Sequence, residues 1–376
     1  MAFDFFIKNG IFIDPISKVH GKYDIAVDSG RVFSIHPSKE FGLEKYAKNS
    51  IDASGYLVTP GLIDLHTHVF PNDTEIGIDA DLVGVQQGVT TLVDAGSAGA
   101  ATFPKFITNV VEKNITQVLA WINIASAGLC SGRAELSDLT QIDTQSVIEM
   151  ISQFPIIRGI KVRMSSSVLG ASGLRPLEIA KDLSRKVGLP LMVHVGNGPP
   201  ELGYILDLLD EGDVVTHAFH GKKGGILDGD EILPQAHQAL KRGVLFDIGH
   251  GTASFSMQTL QKAKKVGIKP CSISTDIYLE NYSGPVYSLT TTLSKFLALG
   301  FSLDEVIAAA TMAPAAILRM DHEIGTLQVG RIADISVLTI EDGVFEFTDS
   351  ENEVFKGHQL LRAKFTIKSG RVLKCR

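Results

Sequence analysis

The stretch Leu62-Ile63-Asp64-Leu65-His66-Thr67-His68 starts as an apolar run and ends in two histidines that one residue separates. Side chains of a β-strand alternate between its two faces, so His66 and His68 point to the same side. Two imidazoles placed in this way can bind one metal ion. We therefore predict a strand with a metal-binding pair at its carboxyl end.

Seven more apolar runs follow along the chain, and each precedes a stretch with helical periodicity. Eight such β/α units between residues 59 and 324 are typical of a TIM barrel. A doubly wound open sheet is the alternative, but it usually has fewer strands and often a glycine-rich dinucleotide turn, which this sequence lacks. The predicted strands are 62–68, 89–94, 117–124, 156–163, 189–195, 213–218, 243–247 and 270–276.

The two chain ends show a different pattern, with short alternating runs separated by turn residues. Asn9-Gly10 lies between two apolar runs, which is a strong local signal for a hairpin. Residues 365–373 repeat the pattern of residues 5–13 nearly position for position. We therefore predict an α/β protein of two domains. A (β/α)8 TIM barrel would cover residues 59–324, and a small β-sandwich would form from residues 1–58 and 325–376.

Composition argues against several classes of protein. The 35 Lys and Arg against 42 Asp and Glu give a net charge of -7, so the surface lacks the positive field that attracts nucleic acid. No run approaches the ~18 apolar residues of a membrane span, and the first residues do not resemble a secretion signal. Cys130, Cys271 and Cys375 form no C-x-x-C pair, which fits a reducing compartment. We predict a cytoplasmic protein that binds neither nucleic acid nor membranes.

Polar residues also end other predicted strands. His194, His217 and Asp276 end the fifth, sixth and eighth strands. Because the carboxyl ends of barrel strands meet at one mouth, we expect them beside the histidine pair of the first strand. Lys161 stands inside the apolar fourth strand, where a bare ammonium next to metal ions would be unfavourable. Either Lys161 faces outward, or its neutral amine adds carbon dioxide to form a carbamate whose two oxygens can bridge two metals.

Together these residues resemble the binuclear metal site of the amidohydrolase superfamily. The flanking residues 58–64 and 325–334 also match it, and residues 94–99 and 217–221 resemble its amidohydrolase/deacetylase branch, which is related to the dihydroorotases. The resemblance implies two divalent metal ions, for which imidazole and carboxylate ligands indicate zinc, and a carboxylated bridging lysine. The implied metal ligands are His66, His68, Lys161, His194, His217 and Asp276.

Two departures from related families narrow the expected activity. Dihydroorotases typically have an arginine two positions after the histidine pair, where this chain has Phe70. Mononuclear deaminases tend to carry a glutamate two residues after the fifth-strand histidine, where this chain has Gly196. Both departures argue against those activities.

The expected function is a metal-dependent hydrolase that cleaves an amide or ester of a small anionic metabolite, of the N-acyl or O-acyl deacetylase type. Water between two metal ions would ionise near pH ~7. Asp276 would be the catalytic residue that takes the proton and passes it to the leaving group. A cyclic amidohydrolase of the dihydroorotase or hydantoinase kind is the alternative, and a non-catalytic scaffold is disfavoured because no ligand is missing. The family also suggests a homo-oligomer.

Candidate substrate-binding residues follow the predicted strands. Arg163 lies two positions beyond Lys161 and could meet an anionic group, although a salt bridge at the barrel rim is an equal alternative. The other candidates are Arg175, His220, His250 and Tyr278.

Overall fold

The computed structural model describes residues 3–38, 42–229 and 231–376, which form two large sheets and one small two-stranded sheet, with helices around them. The strands are β1 (Phe3–Asp14), β2 (Val19–Asp28), β3 (Arg31–Pro37), β4 (Ala47–Asp52), β5 (Leu57–Pro60), β6 (Leu62–Thr67), β7 (Val89–Gly99), β8 (Gln117–Asn123), β9 (Ile157–Arg163), β10 (Leu191–His194), β11 (Val214–Thr216), β12 (Leu227–Asp228), β13 (Glu231–Ile232), β14 (Leu245–Phe246), β15 (Ile335–Thr348), β16 (Val354–Lys368) and β17 (Arg371–Lys374).

The helices mostly follow the predicted β/α alternation. After the first strand, the stretch with helical periodicity, residues 73–87, forms only the short helix 80–83 and one 3₁₀ turn at 85–87. The chain before this helix folds back on Phe70, since a Cβ at Gly77 would lie 2.2 Å from the Phe70 carbonyl oxygen. The helices are α1 (Ala80–Val83), α2 (Phe103–Phe106), α3 (Thr144–Gln153), α4 (Ser166–Leu169), α5 (Arg175–Val187), α6 (Leu202–Asp207), α7 (Pro234–Arg242), α8 (Met257–Lys265), α9 (Leu289–Ala298), α10 (Leu303–Ala308) and α11 (Met312–Ile317).

Seven parallel strands form the curved sheet of the barrel, in the order β14-β11-β10-β9-β8-β7-β6. These are the first seven of the predicted barrel strands, so the predicted barrel fold is confirmed. Their apolar side chains are almost fully buried, as expected for strands that are covered on both faces.

The eighth predicted strand, 270–276, does not form a regular ladder. It makes single parallel bridges, from Ser272 to Asp247 on one side and from Ile277 to Thr67 on the other. The backbone turns at Asp276, whose φ of 49° is not that of a strand. The segment nevertheless closes the ring of strands, because it is hydrogen-bonded to both edges of the sheet.

Both chain ends contribute to a second, mixed sheet, as predicted for the small β-sandwich of the two termini. Its order is β17-β16-β15-β5-β1-β2-β3, and β4 pairs with β1. The hairpin predicted at Asn9-Gly10 is wrong, because β1 continues through this pair with a shift of register between Ile7 and Gly10. The Asn9 amide instead donates to Asp24 Oδ1 at 2.8 Å. A side chain at Gly10 would collide with Val58 on β5, so the glycine permits the close approach of these two strands.

The two sheets meet along α9, which packs against β16. The Leu361 amide on β16 donates to Ser294 Oγ on α9 at 2.9 Å. Leu338 and Leu361 of the terminal sheet belong to the same buried apolar core as the barrel. Every helix in the described ranges is too short or too polar to span a lipid bilayer.

Candidate metal centre

Three imidazoles and one carboxylate converge at the carboxyl ends of the barrel strands. Asp276 Oδ1 lies 3.3 Å from His66 Nε2 and 3.3 Å from His68 Nε2. Asp276 Oδ2 lies 3.9 Å from His217 Nε2. One ligand atom each from His66, His217 and Asp276 fall within 4.8 Å of one another, so these three residues could hold a metal ion.

Hydrogen bonds behind the centre fix the tautomer of His66. Thr216 Oγ1 donates its single proton to Asp247 Oδ2 at 2.8 Å, so it must accept from His66 Nδ1, 2.8 Å away. The Nε2 atom of His66 therefore carries a lone pair toward the centre. Asp247 also accepts from Ser272 Oγ at 2.5 Å and from Ser274 Oγ at 2.7 Å, so its position is fixed by three hydroxyls.

His217 and His68 are oriented in a similar way. His217 Nδ1 donates to the Gly249 carbonyl at 2.6 Å, which leaves a lone pair on Nε2. This Nε2 atom is buried and has no hydrogen-bond partner among the described residues. His68 Nδ1 lies 3.0 Å from Ser97 Oγ, and the Ser97 amide donates to Asp94 Oδ1 at 2.8 Å.

The arrangement fits a divalent cation. The lone pairs of two imidazoles face an ionised carboxylate, and such acceptors repel one another unless a positive ion lies between them. Hydrogen bonds from the far nitrogen of each ring are the usual support of metal-binding histidines. Imidazole and carboxylate are ligands that zinc accepts.

Electrostatics favour the protonation states that metal binding needs. Burial lowers the pKa of His66 well below its ordinary value, and the charge of Lys161 lowers it further. Burial also lowers the pKa of His217 to about 3. Burial raises the pKa of Asp276, but the hydrogen bond with His68 and the charge of His217 outweigh it, so that the pKa is lowered overall. The imidazoles of His66 and His217 are therefore neutral, and the carboxylate of Asp276 is ionised.

Lys161 points into the same centre from β9. Its Nζ lies 3.1 Å from His66 Nε2 and 3.5 Å from Met192 Sδ, and the side chain is 1% exposed. Within the described ranges, no carboxylate lies at ion-pair distance from Nζ. Burial lowers the pKa of Lys161 to about 7. Gly96 makes room for this side chain, since a Cβ there would be 2.8 Å from Lys161 Cβ.

His194 lies beside the centre but outside the group of closest ligand atoms. Its ring is 4.4 Å from that of His217, nearly perpendicular to it. Its Nε2 atom lies 3.1 Å from Ser165 Oγ. Its role as a metal ligand stays a prediction.

The two predicted arginines are already paired. Arg163 Nη1 donates to Glu135 Oε2 at 2.9 Å, and both side chains are largely buried. Arg175 is exposed at the start of α5 and donates to Glu178 at 3.0 Å. Arg163 thus has the rim salt bridge that the sequence left open as an alternative, and substrate binding by either arginine stays a prediction.

The other predicted substrate residues lie around the mouth. The Tyr278 ring is 6.4 Å from the His68 ring, and its hydroxyl bonds to Thr252. His220 is buried, and its Nδ1 accepts from the Lys222 amide at 3.2 Å. His250 is fully buried and bonds to Lys295. Tyr278 is partly open to solvent, and substrate binding by these three residues stays a prediction.

The sequence analysis did not predict the hydrogen-bond network that supports His66, which consists of the hydroxyls of Thr216, Ser272 and Ser274 and the carboxylate of Asp247. Asp247 ends the seventh predicted strand, and Ser272 and Ser274 alternate along the eighth predicted strand, so that both face Asp247. A polar residue at every second position of a buried run was the available signal.

Comparison with known proteins identifies the class. Residues 57–373 match the amidohydrolase family, so the chain belongs to that family. This confirms the resemblance seen in the sequence and makes the protein a hydrolytic enzyme that acts on carbon–nitrogen bonds.

Individual relatives carry different names. A protein of Enterococcus faecalis named Deacetylase is 37% identical over 378 residues, which are 99% of this chain and 99% of that protein. Deacetylase Atu3266 of Agrobacterium fabrum is 37% identical over 84% of this chain and 79% of its own length. A crystal structure of an adenine deaminase has a TM-score of 0.93 and 36% identity, with 99% of this chain and 100% of that chain covered. One of a dihydroorotase has a TM-score of 0.91 and 31% identity, with 99% of each chain covered.

Proposed function

We propose that this protein is a metal-dependent deacetylase that hydrolyses the amide or ester bond of a small, acylated, anionic metabolite. The observation that carries the proposal is the meeting of acceptor atoms in one buried place. His66 Nε2, His217 Nε2 and the Asp276 carboxylate face one another, and His217 Nε2 lacks any other partner in the described part of the chain. The relatives named Deacetylase support the same conclusion.

Two divalent ions, which we propose to be zinc, would occupy this centre. When bound, such ions ionise water near neutral pH and polarise the carbonyl of the substrate. The residues that would hold them are His66, His68, Lys161, His194, His217 and Asp276.

Lys161 would contribute as a carbamate. Its neutral Nζ would attack the carbon of carbon dioxide, so that an N–C bond forms while one C=O π bond breaks, and loss of one proton from the nitrogen would turn the neutral amine into an anion. The buried Nζ of Lys161 has no carboxylate partner in the described ranges, and a buried cation without one is unfavourable. Conversion to an anion among metal ions removes that cost.

Asp276 would move the proton. One of its carboxylate oxygens accepts the proton of the attacking water and then delivers it to the nitrogen or oxygen that leaves. The structure gives Asp276 a lowered pKa, so the carboxylate is ionised and able to accept a proton at neutral pH. Its backbone amide donates to the His66 carbonyl at 2.7 Å, which fixes the residue between the first and last segments of the barrel.

Two positions weigh against the activities named for the structural relatives. A Cβ at Gly196 would lie 2.6 Å from Ser165 Oγ, so a proton-carrying glutamate does not fit there without movement. Phe70 is fully buried against Phe106, with ring centroids 5.2 Å apart, and offers nothing to a substrate carboxylate. Base deamination and dihydroorotase activity are thus less favoured than deacylation.

The decisive experiment is a hydrolysis screen on protein loaded with zinc in the presence of bicarbonate. N-acetyl amino acids, O-acetyl hydroxy acids and acetylated amino sugars test the proposal, and cyclic ureides and adenine run in parallel. We expect acetate release from at least one acylated acid, and about two zinc ions per chain. The Asp276→Asn variant should bind substrate but lose activity by about 100- to 10,000-fold.

Hydrolysis of cyclic ureides or deamination of adenine, without release of acetate from any acylated compound, would overturn the proposal in favour of a cyclic amidohydrolase or a deaminase. Size measurement in solution tests the predicted homo-oligomer, and localisation of a tagged copy tests the predicted cytoplasmic site.

A further inference from the structure

Two arginines near the mouth of the barrel are already paired with carboxylates. Arg163 pairs with Glu135 at 2.9 Å, and Arg133 pairs with Glu280 at 2.9 Å. An anionic substrate needs a positive group that is still available, because a cation held by a carboxylate must first give up that partner.

Lys222 is such a group. It lies in the glycine-rich loop 221–225, which follows β11 and His217. Lys222 is accessible to solvent, and no carboxylate of the described residues lies within ion-pair distance of it. Its amide donates to Nδ1 of the buried His220, which anchors the loop at this point.

The loop borders a large cavity, which residues of the loops after β10 and β11 help to line. The cavity measures about 1100 Å³ and is lined by Asn197 from the loop after β10, by His220, and by Lys222. This volume accommodates an acylated amino acid with room for solvent. Glu201 and Glu351 also line the cavity, but neither pairs with Lys222.

The loop of Lys222 lies at the mouth that carries the centre. It follows β11, which His217 continues, and the carboxyl ends of barrel strands meet at one mouth. Asn197 and His220, which line the cavity, each come three residues after a proposed metal ligand, His194 and His217.

We propose that Lys222 binds the carboxylate of the substrate and so selects acylated acids over neutral amides. The proposal rests on the proposed deacylation and adds the residue that recognises the leaving part of the substrate. The lysine would hold the carboxylate in the cavity while the acyl group reaches the metal centre. Lys223, its neighbour in the same loop and cavity, provides a matched control.

The test compares two substrates that differ in one charge. N-acetyl amino acids and the corresponding N-acetyl amino acid amides are assayed with wild type, Lys222→Met, Lys222→Arg and Lys223→Met. We expect Lys222→Met to lower kcat/KM for the acids by about 10- to 100-fold, mainly through KM, as for a lost hydrogen bond to a charged group. The amides should change by less than about three-fold, as should both substrates with Lys223→Met. Lys222→Arg should restore most of the preference for acids.

Calorimetric binding of the same compounds to the zinc-loaded enzyme separates the two proposals. If the acid binds but is not cleaved, and this binding is lost in Lys222→Met, the proposed deacylation is overturned and the proposed role of Lys222 in binding is kept. Equal losses for acid and amide in Lys222→Met, or equal losses in Lys223→Met, would overturn the role of Lys222 and keep deacylation. Failure to bind either compound would overturn both.

Discussion

Two regions of the molecule each bury a lysine. Lys161 lies at the mouth of the barrel, and Lys295 lies at the junction between the barrel and the terminal sheet. The hydrogen-bond partners of the two lysines differ. Lys295 on α9 donates to three acceptors, His250 Nε2 at 2.8 Å, the Pro285 carbonyl at 2.7 Å and the Thr348 carbonyl at 2.8 Å. An ammonium has three protons, so each one is used. The lysine joins the barrel to the terminal sheet, because Thr348 belongs to β15.

Lys161 is equally buried but has one imidazole nitrogen and one thioether sulfur as neighbours. Burial lowers the pKa of both lysines to about 7. Burial and pKa therefore do not separate a structural lysine from a reactive one. The matching of donors and acceptors does, since Lys295 is satisfied as it stands whereas Lys161 needs a chemical change or a new partner.

Replacement of Lys161 should have the largest effect. We expect Lys161→Ala to lose metal and to lower activity by about 1000-fold or more, beyond the 10- to 100-fold typical of residues that only support a ligand. Metal analysis and a ¹³C NMR spectrum with labelled bicarbonate measure this, because a carbamate signal should vanish with the amine. Short carboxylic acids should restore part of the activity. Unchanged metal content and turnover would contradict the bridging role.

Replacement of Lys295 should affect stability instead. Lys295→Met leaves three buried acceptors without a donor, and we expect it to lower the free energy of unfolding by roughly 3 kcal/mol. Urea denaturation of the zinc-loaded protein measures the change, and metal content should stay at the wild-type level. Lys269→Met, at an exposed lysine that pairs with Glu305, is the control and should change stability by less than about 1 kcal/mol. Loss of metal in Lys295→Met would contradict the view that Lys295 has a structural role only, in contrast to Lys161.

Removal of the Thr216 hydroxyl, which accepts a hydrogen bond from His66, should have an intermediate effect on metal binding or activity. Thr216→Val keeps the volume of the side chain but removes the hydroxyl between His66 and Asp247. We expect zinc affinity or activity to fall by about 10- to 100-fold. Competition with a chelator measures the affinity. An effect as large as that of Lys161→Ala would mean that the hydroxyl acts as more than a support.

These contrasts show which part of the site a sequence can predict. His66, His217 and Asp276 end apolar runs, and the barrel brings such ends together, so their meeting follows from local pattern and topology. The links of Thr216 to Asp247 and of Lys295 to His250 depend on side-chain directions across separate strands and helices. No local pattern encodes those directions.

The chain ends teach the same lesson for the fold. Alternating residues predicted the terminal strands, yet the local turn signal at Asn9-Gly10 failed because distant partners decide the backbone there. Asp24 accepts from the Asn9 amide, and Val58 packs where a side chain of residue 10 would lie. The barrel was more predictable because each of its units repeats one pattern.

The smallest expected effect is a pH dependence at Lys295. Its pKa is lowered by burial from 10.5 to about 7, so between these values the unfolded chain holds a proton that the folded protein has partly released. Raising the pH in this window therefore favours the folded state, and the stability gap between wild type and Lys295→Met should widen by about 1 kcal/mol from pH 7 to 8. Urea denaturation of both proteins at several pH values measures the gap. A gap that stays constant would mean that Lys295 keeps its proton throughout, held by its three acceptors, and the contrast with Lys161 would then extend to charge as well as to partners.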